Sequence, residues 1–378
     1  MKFFLIKNDI LTKNICRKEI LMKTSFVTPA QSQLLRTRGF LIMGAAATQF
    51  FAGHSVRTTV KNAFFQLAAF GKARTALAEG GIVPPAIGPM MNLTVEAQVL
   101  GAQIFEPENS VPAVYTTDGA AIINNLKTDL SKLRVPQSLT EVASHEAVVV
   151  NQNTLRRLVN SPKFKDIPIK YGVALAPFSL LASRLMNINY SMLAMMDSPE
   201  IFKEGLEKIM PLCLMYAEIL LNENPVAIIF CDPSAGLMGP GMIREFSTPY
   251  NRRLIDLVHS RGKFAVLHNC GDAVHKGLLA LLETGADVIH IGNKCGAFSS
   301  MAKIAPQVPA PIILGGNIDP VLLATFTPEA IARITEMLAG ELRPFSNTFL
   351  SSGCDLPPDA RQENIVEFYR RVAAARLK

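Results

Sequence analysis

From about residue 145 onward, short apolar and β-branched runs alternate with longer amphipathic stretches. The runs are Val148–Val150, Ile167–Ala174, Val226–Phe230, Phe264–Leu267, Val288–Ile289, Pro311–Leu314 and Thr348–Leu350. A strand that is apolar without interruption is covered on both faces, which is the environment of a parallel sheet wrapped in helices. The stretches between the runs carry helix punctuation. Ser198-Pro199-Glu200 and Thr327-Pro328-Glu329 each offer an N-cap, a proline at the first helical position and an acid in the first turn. Thr248-Pro249 opens a third helix that ends near Gly262, and Ala273–Glu283 forms a fourth that closes with a left-handed cap at Gly285.

Strand, helix and strand thus repeat with short connections, which predicts either a doubly wound sheet or a (β/α)8 TIM barrel. Polar residues follow directly after the strands: Asp232, His268, Cys270, His290, Asn317, Asp319, Cys354 and Asp355. A barrel gathers such strand ends on one face, whereas an open sheet spreads them along a line. The barrel accounts better for their number. Neither a Gly-x-Gly-x-x-Gly turn nor a P-loop is present, which argues against the common nucleotide sites.

A chain of 378 residues fits one barrel, and 49% hydrophobic against 18% charged residues implies a large core. Residues 1–55 lack clean periodicity and read as an N-terminal extension; residues 56–378 read as a single barrel domain. The net charge of +7 comes from scattered basic residues with no nucleic-acid motif, so an anionic small molecule or an acidic protein fits better than DNA or RNA. Six cysteines in so long a chain do not make a disulfide scaffold, and the reducing cytoplasm is the expected compartment. The apolar run Phe40–Phe51 follows Arg36-Thr-Arg38-Gly, but the arginines are not adjacent and the run is too short to span a bilayer. It reads as a buried segment, so no membrane partner is expected.

The candidate chemistry lies in Val-Leu-His268-Asn-Cys270-Gly-Asp and Ser-Gly-Cys354-Asp. Side chains two apart on a strand project the same way, so His268 and Cys270 can reach one ion together. Imidazole and thiolate are the donors zinc prefers, and a thiol on a neighbouring strand end completes a set of three that leaves the fourth tetrahedral position open. By itself His-x-Cys is a weak signal, since buried Cys is usually an inert small hydrophobe and a lone His a satisfied core residue.

Five ordered blocks carry a resemblance to the uroporphyrinogen decarboxylase superfamily over roughly residues 90 to 370. They are Asn92-Leu-Thr-Val-Glu-Ala-Gln-Val-Leu-Gly101, Ala176-Pro-Phe-Ser-Leu-Leu181, Phe230-Cys-Asp-Pro-Ser234, Thr248-Pro-Tyr250 and Gly316-Asn-Ile-Asp-Pro320. The resemblance implies a TIM barrel. The Arg-rich N-terminal signature with which the decarboxylase holds its porphyrinogen is not found, which disfavours that substrate. The His-x-Cys pair with a distant Cys is instead similar to the corrinoid-dependent zinc methyltransferase branch. That likeness implies zinc held by His268, Cys270 and Cys354. It further implies methyl transfer between a corrinoid such as methylcobalamin and a small thiol or methoxylated substrate.

No Asp-x-His-x-x-Gly cobalamin-binding block occurs, so a separate corrinoid protein is the expected partner. His290 stands where the coenzyme M enzymes of this branch lead one to expect an acid; exchangeable ligand, substrate contact and core histidine all stay open for it. Asp232 orients a ligand, bonds substrate or caps the following turn. Asn317, as a cofactor-binding candidate, and Asp319 touch a ligand or shape their loop. Glu96 reads as local support, and Cys295 as a loop residue outside the ligand set. A metal-free decarboxylase or lyase of the same superfamily and a non-catalytic ligand-binding barrel are the rival readings. A homodimer is an oligomeric form the sequence allows.

Overall fold

The computed structural model describes residues 26–42, 53–117, 119–271, 274–292 and 300–376. Cys16, Cys295 and the part of the Phe40–Phe51 run beyond Ile42 lie outside the described residues. Ten strands are present among the described residues: β1 Phe40–Ile42, β2 Ala86–Ile87, β3 Ile104–Phe105, β4 Ala113–Val114, β5 Ile169–Leu175, β6 Ala227–Cys231, β7 Phe264–Asn269, β8 Val288–Ile291, β9 Ile313–Ile318 and β10 Thr348–Asp355. β3 and β4 form a small antiparallel pair. The other eight make one sheet in the order β1-β10-β9-β8-β7-β6-β5-β2, every neighbouring pair parallel.

This is the strand order of a barrel opened between β1 and β2. The sheet curls far enough to set Phe40 of β1 edge-on to Tyr171 of β5, with ring centroids 5.9 Å apart. Among the described residues no ladder joins β1 to β2, so the expected closed barrel appears as a curled parallel sheet with an open seam. Alternate residues face the concave side. Tyr171, Ala227, Ile229, Phe264, Val266, Val288 and Phe349 enclose a small apolar cavity there, and His268 and His290 complete its wall. The interior is therefore apolar along the strands and becomes polar near their C-terminal ends.

Six of the seven expected strands are present. The exception is Val148–Val150, which lies in the helix Glu146–Asn160. There Val148, Asn151, Thr154, Leu155 and Leu158 are buried, a spacing of three and four residues that buries one stripe of a helix and overrides the β preference of three valines. The anticipated helices appear as Pro199–Leu221, Thr248–Ser260, Val274–Leu282 and Pro328–Leu342. Gly262 and Gly285 take positive φ values of 66° and 83° just past two of them, the backbone state only glycine enters without strain.

Within the segment read as an extension, the helix Pro29–Arg38 starts with a reciprocal capping box between Thr28 and Gln31. β1 then pairs with β10, and the backbone N–H of Ile42 donates to Ser352 Oγ at 3.0 Å. No described helix is long and apolar enough to cross a membrane.

The opposite end of the sheet is tied by Asp287. Its buried carboxylate accepts from the backbone N–H groups of Phe26 (3.1 Å) and Ala265 (2.9 Å) and lies 2.7 Å from His259 Nε2. Phe26 in turn stacks on His259 with ring centroids 4.3 Å apart. Removing the acceptor strands a buried N–H and a partner ring, so Asp287→Ala is expected to cost about 3 kcal/mol of unfolding free energy, read from urea titrations.

Candidate metal centre

Parallel register sets the position of the functional side chains. Cys231 of β6 pairs with His268 of β7, which pairs with His290 of β8, so all three stand in one row across the sheet. Cys270 follows one residue beyond β7, and Cys354 comes from the far end of β10. His268, Cys270 and Cys354 each bring one ligand atom to within 4.8 Å of the other two. The ring of His268 is 1% exposed, and its Nε2 has no hydrogen-bond partner. A buried imidazole nitrogen without a partner, beside two sulfurs, fits a borderline-soft divalent ion such as zinc.

Glycines let the backbone close around Cys270. A Cβ at Gly292 would meet Cys270 Cα at 2.7 Å, and a Cβ at Gly271 would meet Gly236 Cα at 2.5 Å. Asn269, whose side chain lies on the other face of the strand, clamps the same turn. Its Nδ2 donates to the Asp232 carbonyl at 2.9 Å, and its Oδ1 accepts from Gly271 N–H at 3.0 Å. Sequence reasoning passed over Asn269; its place between the two ligand candidates is the signal that points to it.

Asp232 is buried, and its carboxylate serves the surrounding loops. Oδ1 accepts from Ser179 Oγ at 2.6 Å, and Oδ2 accepts from Ser247 Oγ at 2.6 Å and Asn251 Nδ2 at 3.0 Å. Burial raises its pKa, opposed by those three donors. Both oxygens are thus engaged by protein donors, which ties the turns after β5 and β6 together.

His290 is buried as well, its Nδ1 2.8 Å from His268 Nδ1 and its Nε2 2.9 Å from Ser351 Oγ. Burial first, and then His268, hold it well below the ordinary histidine range, which favours the neutral ring. Asn317 of β9 is buried and pairs in register with Ser351. Asp319 caps its loop by accepting from Val321 N–H at 3.0 Å.

Burial and mutual contact hold the thiols of the cluster toward their neutral forms. Cys354 is pushed up to about 12, first by its contact with Cys270 and then by burial, against a lowering influence of His268. Cys231, fully buried, is raised by burial and feels both Cys354 and Cys270. Arg184 is a positive charge near this cluster. It sits in a single π-helical turn, Leu181–Leu185, a geometry that recurs at functional sites and leaves no mark in sequence. Its guanidinium donates to Leu93 O and to Ser183, and its field reaches Glu96, Cys231 and Cys270.

Among families of known proteins, the uroporphyrinogen decarboxylase (URO-D) family matches residues 85–375, and the chain belongs to it. The chain is 26% identical to "Methylcobamide:CoM methyltransferase MtbA" of Methanosarcina acetivorans over 209 residues, 54% of this chain and 58% of that protein. It is 27% identical to a uroporphyrinogen decarboxylase of Synechococcus sp. (strain CC9605) over 188 residues, 48% of this chain and 51% of that protein. The chain thus matches between half and three-fifths of the length of these relatives. A solved methyltransferase from Methanosarcina mazei superposes with a TM-score of 0.66 at 19% identity, covering 93% of this chain and 98% of that one, a likeness of fold.

Glu96 supports the floor of the site: Oε1 accepts from Leu175 N–H at 2.7 Å, and Oε2 is buried without a partner. Burial raises its pKa from 4.5 to about 7. The folded state therefore holds this proton more tightly than the unfolded chain, and stability falls as pH rises from about 4.5 to about 7. For a raise of that size the loss is roughly 3 kcal/mol. Glu96→Gln keeps the acceptor for Leu175, so it is expected to flatten this part of the stability curve and to exceed the parent in stability at about pH 8, measured by urea unfolding.

Proposed function

We propose that this protein is a zinc-dependent methyltransferase that moves a methyl group between a corrinoid and a small thiol or methoxylated substrate. The observation that carries this reading is the meeting of His268, Cys270 and Cys354 within 4.8 Å of one another, at the C-terminal ends of the strands. Membership of the URO-D family and the similarity to an MtbA methyltransferase over 54% of the chain support it. In this reading the fold is a TIM barrel whose body is residues 56–378, with the preceding segment adding β1 at the seam. The corrinoid arrives on a separate corrinoid protein that docks over the barrel mouth, and the setting is the cytoplasm.

His268 would hold the zinc through a neutral nitrogen, and Cys270 and Cys354 through thiolates. Zinc held there would supply a redox-silent Lewis acid for a substrate thiol or a methoxyl leaving group. The chain's own part is positional. The apolar wall of Val266, Val288 and Phe349 keeps water from beneath the ligands. Arg184 adds positive potential at Cys270. Asp232, bonded to Ser179, Ser247 and Asn251, holds the turns that frame the mouth and acts through them; Asn317, in register beside Ser351, is the cofactor-binding candidate of this reading. The thiol of Cys354, pushed up to about 12, would release its proton to solvent when a metal binds, so affinity weakens as pH falls.

Protein purified under reducing conditions without added zinc is expected to carry close to one zinc per chain, measured by elemental analysis, and Cys354→Ala to lose most of it. Incubation with methylcobalamin and a panel of thiols should convert the cobalt spectrum to that of the demethylated corrinoid. A metal-free native protein would sink the proposal in favour of a metal-independent lyase.

A further inference from the structure

The two imidazoles of the site meet through like atoms, Nδ1 to Nδ1 at 2.8 Å, so only one of them carries the proton between them. Which one is decided at the other end of the chain of contacts. Ser351 Oγ lies 3.1 Å from the Ser352 carbonyl oxygen, which can only accept, so the hydroxyl hydrogen goes there. Toward His290 the same oxygen must accept, and it does so from Nε2–H at 2.9 Å.

A neutral imidazole has a single N–H. With that proton on Nε2, His290 Nδ1 is an acceptor, and the shared proton belongs to His268 Nδ1. The Nε2 of His268 is then a bare lone pair, and it is the ring atom left without a hydrogen-bond partner. The opposite polarity would give up the bond to Ser352 and put a proton on His268 Nε2, where no metal could bind. Both nitrogens of His290 are occupied by these contacts, which leaves it none to offer as a ligand.

We propose that His290 is a positioning residue that fixes the tautomer of His268, with Ser351 setting the polarity, so that the Nε2 lone pair is presented to a metal before one arrives. The inference rests on the zinc reading for its purpose and on the hydrogen bonds for its content. Fixing a ligand's tautomer from behind raises its basicity and removes the cost of a proton shift on binding. The residue at 290 therefore shapes affinity without touching metal or substrate.

The test reads affinity and proton position separately. Zinc dissociation constants, taken by competition with a chromophoric chelator, should rise about 10- to 100-fold in His290→Leu. His290→Gln, whose amide can accept from one side and donate to the other, should recover most of that loss. Ser351→Ala, a smaller change that keeps both rings, should fall between them. In the metal-free chain, ¹⁵N shifts of His268, assigned by their loss in His268→Gln, should report the Nδ1–H form in the native protein and a mixed or Nε2–H form in His290→Leu and Ser351→Ala.

Unchanged zinc affinity and an unchanged His268 tautomer in folded His290→Leu and Ser351→Ala would overturn the inference and leave the zinc reading standing. A native protein that binds no zinc would overturn the zinc reading, and the proton position in the metal-free chain would still decide this one.

Discussion

The site depends on the lateral register of β6, β7 and β8. In a parallel ladder, residues opposite one another project to the same face, so pairing Cys231 with His268 and His268 with His290 delivers a thiol and two rings to the concave side together. A slip of one residue would turn them toward the helices and bring Leu267 and Ile289 inward. Asp287 helps hold that register by fastening the start of β7 to the start of β8 through Ala265 N–H. Packing far from the chemistry thereby fixes where the chemistry occurs.

Above that row, close backbone approach replaces side-chain bulk. Gly236, Gly271 and Gly292 stand where a Cβ would collide with neighbouring backbone, which fixes the position of Cys270. Asn269 and Asp232 then satisfy the polar groups of the same turns, so the loops at the strand ends are cross-braced by hydrogen bonds between buried partners. A buried carboxylate held by three donors stabilises the shape of the turns it joins.

Charge is arranged by subtraction. Burial and mutual proximity favour the neutral forms of Glu96, Cys231, Cys354 and His290, and Arg184 is the positive charge whose field reaches Cys270. Two cysteines that resist ionisation side by side become compatible as thiolates only when a compact positive charge sits between them. The same low polarity that disfavours bare thiolates strengthens their hold on a dication. The donor set of this chain carries the reading toward metal chemistry.

Sequence periodicity by itself determined the parallel strands from β5 to β10, the helices between them, and the spacing that sets His268 and Cys270 on one face, because all of these follow from local pattern. It misjudged Val148–Val150, where burial at helical spacing outweighs β-branching. It left the role of His290 open, since a histidine after a strand looks alike as ligand, substrate contact or core residue. Only the tertiary structure decided that Cys354 reaches His268 and Cys270, that Asp232 faces Ser179, Ser247 and Asn251, and that His290 sits between His268 and Ser351. Each of those contacts joins residues on different strands or loops, and their distance depends on the curl and register of the whole sheet, which no local stretch of sequence encodes.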